Sequence, residues 1–68
     1  MTYQPNDRVR LTVPGSYACV NDGAGRRLGV TLVFRVLDQD GDAVQVAHDV
    51  TGRRYVLPAK QLTRVGPQ

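Results

Sequence analysis

Residues 28–48, LGVTLVFRVLDQDGDAVQVAH, decide how this chain folds. Apolar side chains recur at every second position on both sides of a polar segment at 38–42, which contains the dipeptide Asp40-Gly41. A period of two is typical of a β-strand with one buried face, and Asp-Gly between two such runs is the strongest local signal for a hairpin. We therefore predict a strand over 28–37, a turn over 38–42 and a second strand over 43–48.

The same alternation continues toward both ends of the chain. Val9 and Leu11 alternate with arginines near the start, and Tyr55 and Leu57 share one face near the end. The four residues after Leu57 are too few for a stable α-helix and suit one 3₁₀ turn. The further predicted elements are strands over 8–13, 53–57 and 62–65, a 3₁₀ turn over 58–61 and a long Gly-rich loop over 14–27. Together they predict an all-β protein, a five-stranded barrel that is closed or partly closed.

The length and composition limit what the chain can do. Sixty-eight residues give room for one domain, 1–68, of which we expect 1–6 and 66–68 to fray. A chain of this size buries only about 60% of its unfolded surface, too little for a two-lobed catalytic cleft or a doubly wound sheet. No apolar run approaches the ~20 residues that span a bilayer, so no membrane partner is expected. The single Cys19 and the absence of signal-peptide features at the start indicate a cytoplasmic protein.

Two segments resemble those of SH3-like barrels. Asp7-Arg8-Val9-Arg10-Leu11 is similar to the opening of several bacterial barrels of this type. Tyr55-Val56-Leu57-Pro58-Ala59-Lys60-Gln61-Leu62 is similar to their strand, Pro-led 3₁₀ turn and returning apolar residue. The group includes plasmid-encoded type II dihydrofolate reductase, the stromal SH3-like subunit of photosystem I and the nitrile hydratase β-chain barrel. The resemblance implies a five-stranded SH3-like barrel with a long first loop and one 3₁₀ turn before the last strand.

Departures from the reductase pattern indicate that this chain is not an enzyme. The reductase lines its pore with a Val-Gln-Ile-Tyr run, whereas Arg54-Tyr55-Val56-Leu57 stands at that place here. Leu11 stands where the reductase has a basic residue that holds its anionic cofactor. The pair His48-Asp49 has no nucleophile in a catalytic context, and the carboxylates of the 38–42 turn lack the Glu of a calcium loop. We therefore expect no reductase activity, no cofactor and no metal. A reductase-like enzyme ranks as a distant third hypothesis, after the two binding functions described below.

The charged residues are strongly biased toward arginine. Eight of the nine basic residues are Arg, all six acidic residues are Asp, and the net charge is +3. Arg carries a planar fork that matches phosphate, so an anionic partner is one interpretation, and arginines used only for solubility are the other. The Gly-rich loop resembles those with which KOW-type and related barrels bind RNA or ribosomal partners, and it would present Arg26 and Arg27 to an anion. Tyr17 would supply a ring near this basic pair. The candidate nucleic-acid-binding residues are Tyr17, Arg26, Arg27, Arg53 and Arg54.

An outward apolar stripe supports a different function. In the predicted strand over 28–37, Val33 and Leu37 face away from the core, and Val56 of a later strand joins them. Such a stripe on so small a barrel is covered by a second copy, by another protein or by the long loop. Our first hypothesis is therefore a protein-interaction or homo-oligomerising module, and nucleic-acid binding is the alternative. High salt should weaken nucleic-acid binding and leave apolar assembly intact.

Overall fold

Seven short strands and one 3₁₀ turn make up residues 2–66, the part of the chain that the computed structural model describes. The strands are β1 (Arg8–Leu11), β2 (Gly15–Ala18), β3 (Gly25–Leu28), β4 (Phe34–Asp40), β5 (Ala43–His48), β6 (Arg54–Pro58) and β7 (Leu62–Arg64), with the 3₁₀ turn at Ala59–Gln61. All pairs are antiparallel, in a five-stranded sheet of order β6-β5-β4-β1-β7 and a two-stranded sheet of β2 and β3. The edge strands β6 and β7 are not paired with each other, so the large sheet is open. The all-β class is confirmed, and no helix within these residues has the length and apolar character to cross a membrane.

The predicted strand over 28–37 is wrong, because the chain turns in the middle of it. Leu28 ends β3 in the small sheet, a turn follows, and β4 of the large sheet runs over 34–40. Apolar periodicity does not show which partner strand a residue pairs with. The apolar pattern therefore continues unchanged where the chain leaves the small sheet and enters the large one. Alternation along a strand over 28–37 would turn Val30 toward the core, on the face opposite Val33 and Leu37, but Val30 is 39% exposed. The isolated Gly29 is the local signal of the break.

The predicted loop over 14–27 contains a hairpin formed by β2 and β3. Tyr17 of β2 lies opposite Arg26 of β3. Cys19, just after β2, is fully buried, and its amide donates to the carbonyl oxygen of Ala24 at 2.9 Å, which closes the tip of the hairpin. A Gly-rich, mostly exposed ribbon lacks the apolar alternation that identifies a strand, so its sequence is that of a loop.

The hairpin between β4 and β5 is confirmed, with a turn shorter than the predicted 38–42. Asp40 pairs with Ala43, which leaves Gly41 and Asp42 as a two-residue loop. Gly41 has φ +61°, a left-handed conformation that glycine adopts without steric cost. Two-residue hairpin loops place glycine at this position for that reason.

A bulge interrupts β4. The register with β5 shifts between Val36 and Asp38, so Leu37 has no partner on β5. Beyond the bulge, Gln39 lies opposite the buried Val44, and the inward and outward positions of β4 are exchanged. The apolar pattern contains no sign of this exchange.

The hydrophobic core is centred on Phe34. Its ring contacts the rings of His48 and Tyr55 edge to face, with centroid distances of 5.5 and 5.9 Å. Tyr55 and Leu57 are buried, as the alternation predicts. The core consists of Tyr3, Val9, Leu11, Cys19, Leu28, Phe34, Val36, Val44, Val46, Tyr55, Leu57, Ala59 and Leu62.

The N-terminal segment, residues 2–6, contacts the large sheet through the buried Tyr3, and its other four residues are exposed. That this segment frays stays a prediction. Tyr3 is 3% exposed, and its hydroxyl donates to the carbonyl oxygen of Leu62 at 2.9 Å. A buried ring with a satisfied hydroxyl anchors this segment to β7. Met1 and residues 67–68, also expected to fray, lie outside the described part of the chain.

Candidate functional site

The register of the large sheet places three arginines in one row on its outer face. Arg8 lies directly opposite Arg35, and Arg35 lies opposite Ala47. Ala47 in turn lies opposite Arg54. Directly opposite residues of antiparallel strands point to the same face of a sheet. All three arginines are exposed and the residue after each is buried, so the row crosses β1, β4, β5 and β6 on the solvent side.

Arg10 extends this row along β1. It follows Arg8 by two positions, so it points to the same face, and it is exposed. Between Arg35 and Arg54 stands Ala47, which has only a methyl group, so no bulky side chain separates those two guanidinium groups. We call Arg8, Arg10, Arg35 and Arg54 the outer arginines.

The outer arginines have no carboxylate partner within residues 2–66. The ion pairs found there join Arg26 to Asp22 at 2.8 Å and Arg64 to Asp7 at 3.3 Å. The remaining aspartates are Asp38, Asp40 and Asp42 at the β4–β5 hairpin and Asp49 after β5. Asp38 lies opposite Gln45, two positions along β5 from Ala47, and the amide of Asp49 donates to the carbonyl oxygen of Val33. Carboxylates therefore lie near the row without forming an ion pair with it in residues 2–66.

Arg8 and Arg35 place two like charges at directly opposite positions of the β1–β4 ladder. The two residues are direct ladder partners, and such partners have their Cβ atoms about 4.5–5.5 Å apart. Like charges placed directly opposite destabilise a sheet, and an anion bound between them would remove the repulsion. The planar guanidinium fork pairs with two phosphate oxygens at once, so the arrangement suits a phosphate ligand.

Arg26 and Arg27, the basic pair predicted to bind nucleic acid, do not share a face. They are consecutive in β3, and successive strand side chains point in opposite directions. Arg26 is half-buried and donates to Oδ2 of Asp22 at 2.8 Å, and this hydrogen bond raises the pKa of Arg26. The pKa of Asp22 is lowered, first by the hydrogen bond from the amide of Ala24 and then by Arg26. Arg26 is therefore neutralised within its own hairpin, and Arg27 remains exposed.

Tyr17 lies opposite Arg26, but its ring is engaged elsewhere. It is half-buried against the core, and its hydroxyl donates to Oε1 of Gln61 at 2.7 Å. The cation over a ring in residues 2–66 is instead Arg64, whose guanidinium carbon is 5.2 Å from the centroid of Tyr3. The expected pairing of the Tyr17 ring with a loop arginine is not seen.

Arg53 and Arg54 were also predicted to bind nucleic acid. Arg54 begins β6 and belongs to the row, whereas Arg53 precedes β6. The amide of Arg54 donates to Oδ1 of Asn21 at 2.7 Å, and its carbonyl oxygen accepts from the amide of Val20 at 2.7 Å. These bonds hold the backbone of Arg54 against the β2–β3 hairpin. Arg53 is exposed, and its carbonyl oxygen accepts from the amide of His48 at 2.7 Å.

Val33, Leu37 and Val56, the predicted protein interface, lie in three different settings. Val33 precedes β4, Leu37 is the bulged residue, and both are half-buried. Val56 is 47% exposed on β6 and lines a shallow depression together with Asp38 and Asp40. Val33 and Leu37 both follow the turn after β3, and the bulge and their partial burial leave Val56 as the exposed member of the three. The protein interface itself stays a prediction.

His48 has a structural contact in the turn after β5. Its Nδ1 accepts hydrogen bonds from the amides of Val50 and Thr51, both at 3.1 Å. The lone pair that a general base would use is therefore occupied. Among the described residues, no three His, Cys, Asp or Glu side chains come together as metal ligands.

Sequence reasoning missed Arg35 as a site residue and did not connect Arg8 and Arg10 with Arg54. Alternation alone shows that Arg8 and Arg10 share an outward face, but only the strand register shows that Arg35 lies beside them. The available signal was that Arg35 is the one charged residue in an apolar run.

Comparisons with protein-family models, with curated proteins and with solved structures give no match to this chain. A proposal about function therefore depends on the outer arginines and their surroundings.

Proposed function

We propose that this protein is a non-catalytic, SH3-like binding module that holds the phosphate backbone of a nucleic acid on its outer arginines. The SH3-like assignment is supported by the order of elements, a long first connection, two hairpins and a 3₁₀ turn before the last strand. It is also supported by the pairing of β1 with β7, which joins the two ends of the chain.

The single observation that carries the proposal is the direct opposition of Arg8 and Arg35 with no carboxylate partner for either within residues 2–66. Two like charges in ladder contact reduce the stability of a domain whose margin is already small. Local arrangements that lower stability are typical of functional sites. A ligand that carries negative charge turns this repulsion into two attractive contacts.

An extended polyanion fits the outer arginines better than a small anion does. The four side chains are distributed over β1, β4 and β6, on an outer face rather than in an enclosed cavity. A single phosphate would contact one or two of them, whereas a nucleic-acid backbone offers a phosphate to each.

The proposal is tested by fluorescence anisotropy of a labelled duplex at about 50 mM salt, where phosphate contacts are strong. The double variant Arg35→Gln/Arg54→Gln should lower the affinity at least about 100-fold, because each of the two lost charge-assisted hydrogen bonds contributes about 1.5–3 kcal/mol. The matched control Arg27→Gln/Lys60→Gln removes the same charge from exposed positions elsewhere. This control should change the affinity less than about threefold. Equal effects of the two variants, or no binding by the native protein, would overturn the proposal.

Self-association is the second candidate, and the exposure of Val56 favours it. An apolar side chain that is 47% exposed on the edge strand β6 offers a contact for a second copy. Light scattering after size exclusion should then show a dimer at high salt that Val56→Lys converts to a monomer. A monomer at every protein concentration would remove this candidate.

A further inference from the structure

We infer that the nucleic acid bound by the outer arginines is double-stranded, an inference that rests on the proposed function. Proteins that bind single strands without sequence preference combine basic residues with aromatic side chains on which the unpaired bases stack. Each stacked base contributes about 1–3 kcal/mol, so a single-strand site without rings is weak. The choice between single and double strands therefore depends on where the aromatic rings of this chain lie.

The aromatic rings of this chain are withdrawn from the outer face. The chain has three Tyr, one Phe and no Trp. Tyr3, Phe34 and Tyr55 are at most 3% exposed. Tyr17 belongs to the small sheet, is half-buried, and its hydroxyl donates to Oε1 of Gln61 in the 3₁₀ turn. Within residues 2–66, no Tyr or Phe ring is exposed beside the outer arginines.

The width of the row fits a duplex. Arg8 and Arg54 are three strand spacings apart in the register, and strands are separated by about 4.8 Å, so the row extends about 14 Å along the sheet. The major groove of B-form DNA is about 12 Å wide. Arginines at the two ends of the row can therefore reach phosphates on both sides of a groove, with Arg35 between them. An isolated strand has no second backbone at that distance.

The charge density of the nucleic acid also favours a duplex over a single strand. A duplex carries one negative charge per about 1.7 Å of its axis, twice the density of one strand. Because the outer arginines contribute charge and no stacking surface, the affinity should follow that density.

The experiment compares a short labelled duplex with each of its isolated strands, for DNA and for RNA of the same sequence, by anisotropy between about 50 and about 200 mM salt. We expect at least one duplex to bind about tenfold more tightly than its own strands. Four phosphate contacts predict a slope of log K against log salt of about −3.6, and Arg10→Gln should reduce its magnitude by about 0.9. The tighter of the two duplexes shows whether the outer arginines prefer a DNA or an RNA duplex.

The outcomes separate this inference from the proposed function. If single strands bind as tightly as both duplexes, the inference is overturned and the proposed function stands. If neither form binds, the proposed function itself fails. A loss of slope in Lys60→Gln equal to that in Arg10→Gln would show that net charge, and not the row, determines binding, which overturns the proposed function and with it the inference.

Discussion

Two groups of arginines differ in how they come together. Arg26 and Arg27 are neighbours in the sequence, and the alternation of β3 sends them to opposite faces, where one is neutralised by Asp22. Arg8 and Arg35 are far apart in the sequence, and the register of β1 with β4 places them side by side without a carboxylate. In a β protein, the grouping of charge on one face is thus decided by strand pairing and not by sequence adjacency.

The largest expected difference between the two groups is in nucleic-acid affinity. Arg35→Glu should lower the affinity for duplex at least about 100-fold at low salt, because a like charge facing phosphate costs several kcal/mol. Arg27→Glu makes the same change in net charge, but on the small sheet. Screening by salt should limit the loss of duplex affinity there to a few-fold. Anisotropy titrations of both variants against the native protein measure this difference. If Arg27→Glu has the greater effect, the β2–β3 hairpin is the binding site and the comparison is reversed.

A second difference concerns how firmly the β2–β3 hairpin is attached. Tyr17→Phe removes the 2.7 Å hydrogen bond to Oε1 of Gln61 and should lower the free energy of unfolding by about 1 kcal/mol, the usual contribution of such a bond. Urea denaturation measures the change. Duplex affinity should stay within about twofold of the native value, since this contact lies outside the outer arginines. A parallel loss of affinity would mean that the two regions are coupled.

A third prediction isolates the repulsion between Arg8 and Arg35. Arg35→Gln should raise the free energy of unfolding by about 0.2–1 kcal/mol, because it removes a like charge from a direct ladder pair. The matched variant Arg54→Gln lies opposite Ala47 and should change stability by less than about 0.5 kcal/mol. Urea denaturation at low salt distinguishes the two. Destabilisation by Arg35→Gln would show that the row is stabilising without a ligand, and its functional interpretation would lose its main support.

The smallest effect is a response to acid that only one region should show. The pKa of Asp22 is lowered below its ordinary value of 3.8, so its contribution to the hairpin is complete above that pH and is lost as the pH falls through the lower folded value. The amide resonance of Ala24, which donates to Asp22, should therefore shift below about pH 3.8 and become insensitive in Asp22→Asn. The outer arginines stay charged, so duplex affinity should be constant between about pH 5 and about pH 8. A strong change of affinity in that interval would contradict this prediction.

Much of the fold follows from local patterns, and most of the site does not. Alternation predicted that Tyr55 and Leu57 are buried, and Asp-Gly predicted the β4–β5 hairpin, because both signals involve residues close in sequence. The bulge at Leu37 was not predictable, because it depends on pairing between whole strands.

The site was predicted only in part for the same reason. Arg54 was predicted because it is adjacent to Arg53 in the sequence. Arg35 can be assigned to the same row only when the pairing of β4 with both β1 and β5 is known. The ion pair between Arg26 and Asp22 spans the tip of one hairpin. That Arg26 and Arg27 point to opposite faces follows only if β3 is a strand, and the Gly-rich sequence does not indicate a strand there.

The most direct test of the outer arginines is an amide chemical-shift titration of isotope-labelled protein with a short duplex. We predict that the shifted resonances lie on β1, β4 and β6 around Arg8, Arg35 and Arg54, and that β3 around Arg27 is unaffected. Shifts confined to residues 19–27, or no shifts at low salt, would contradict the account.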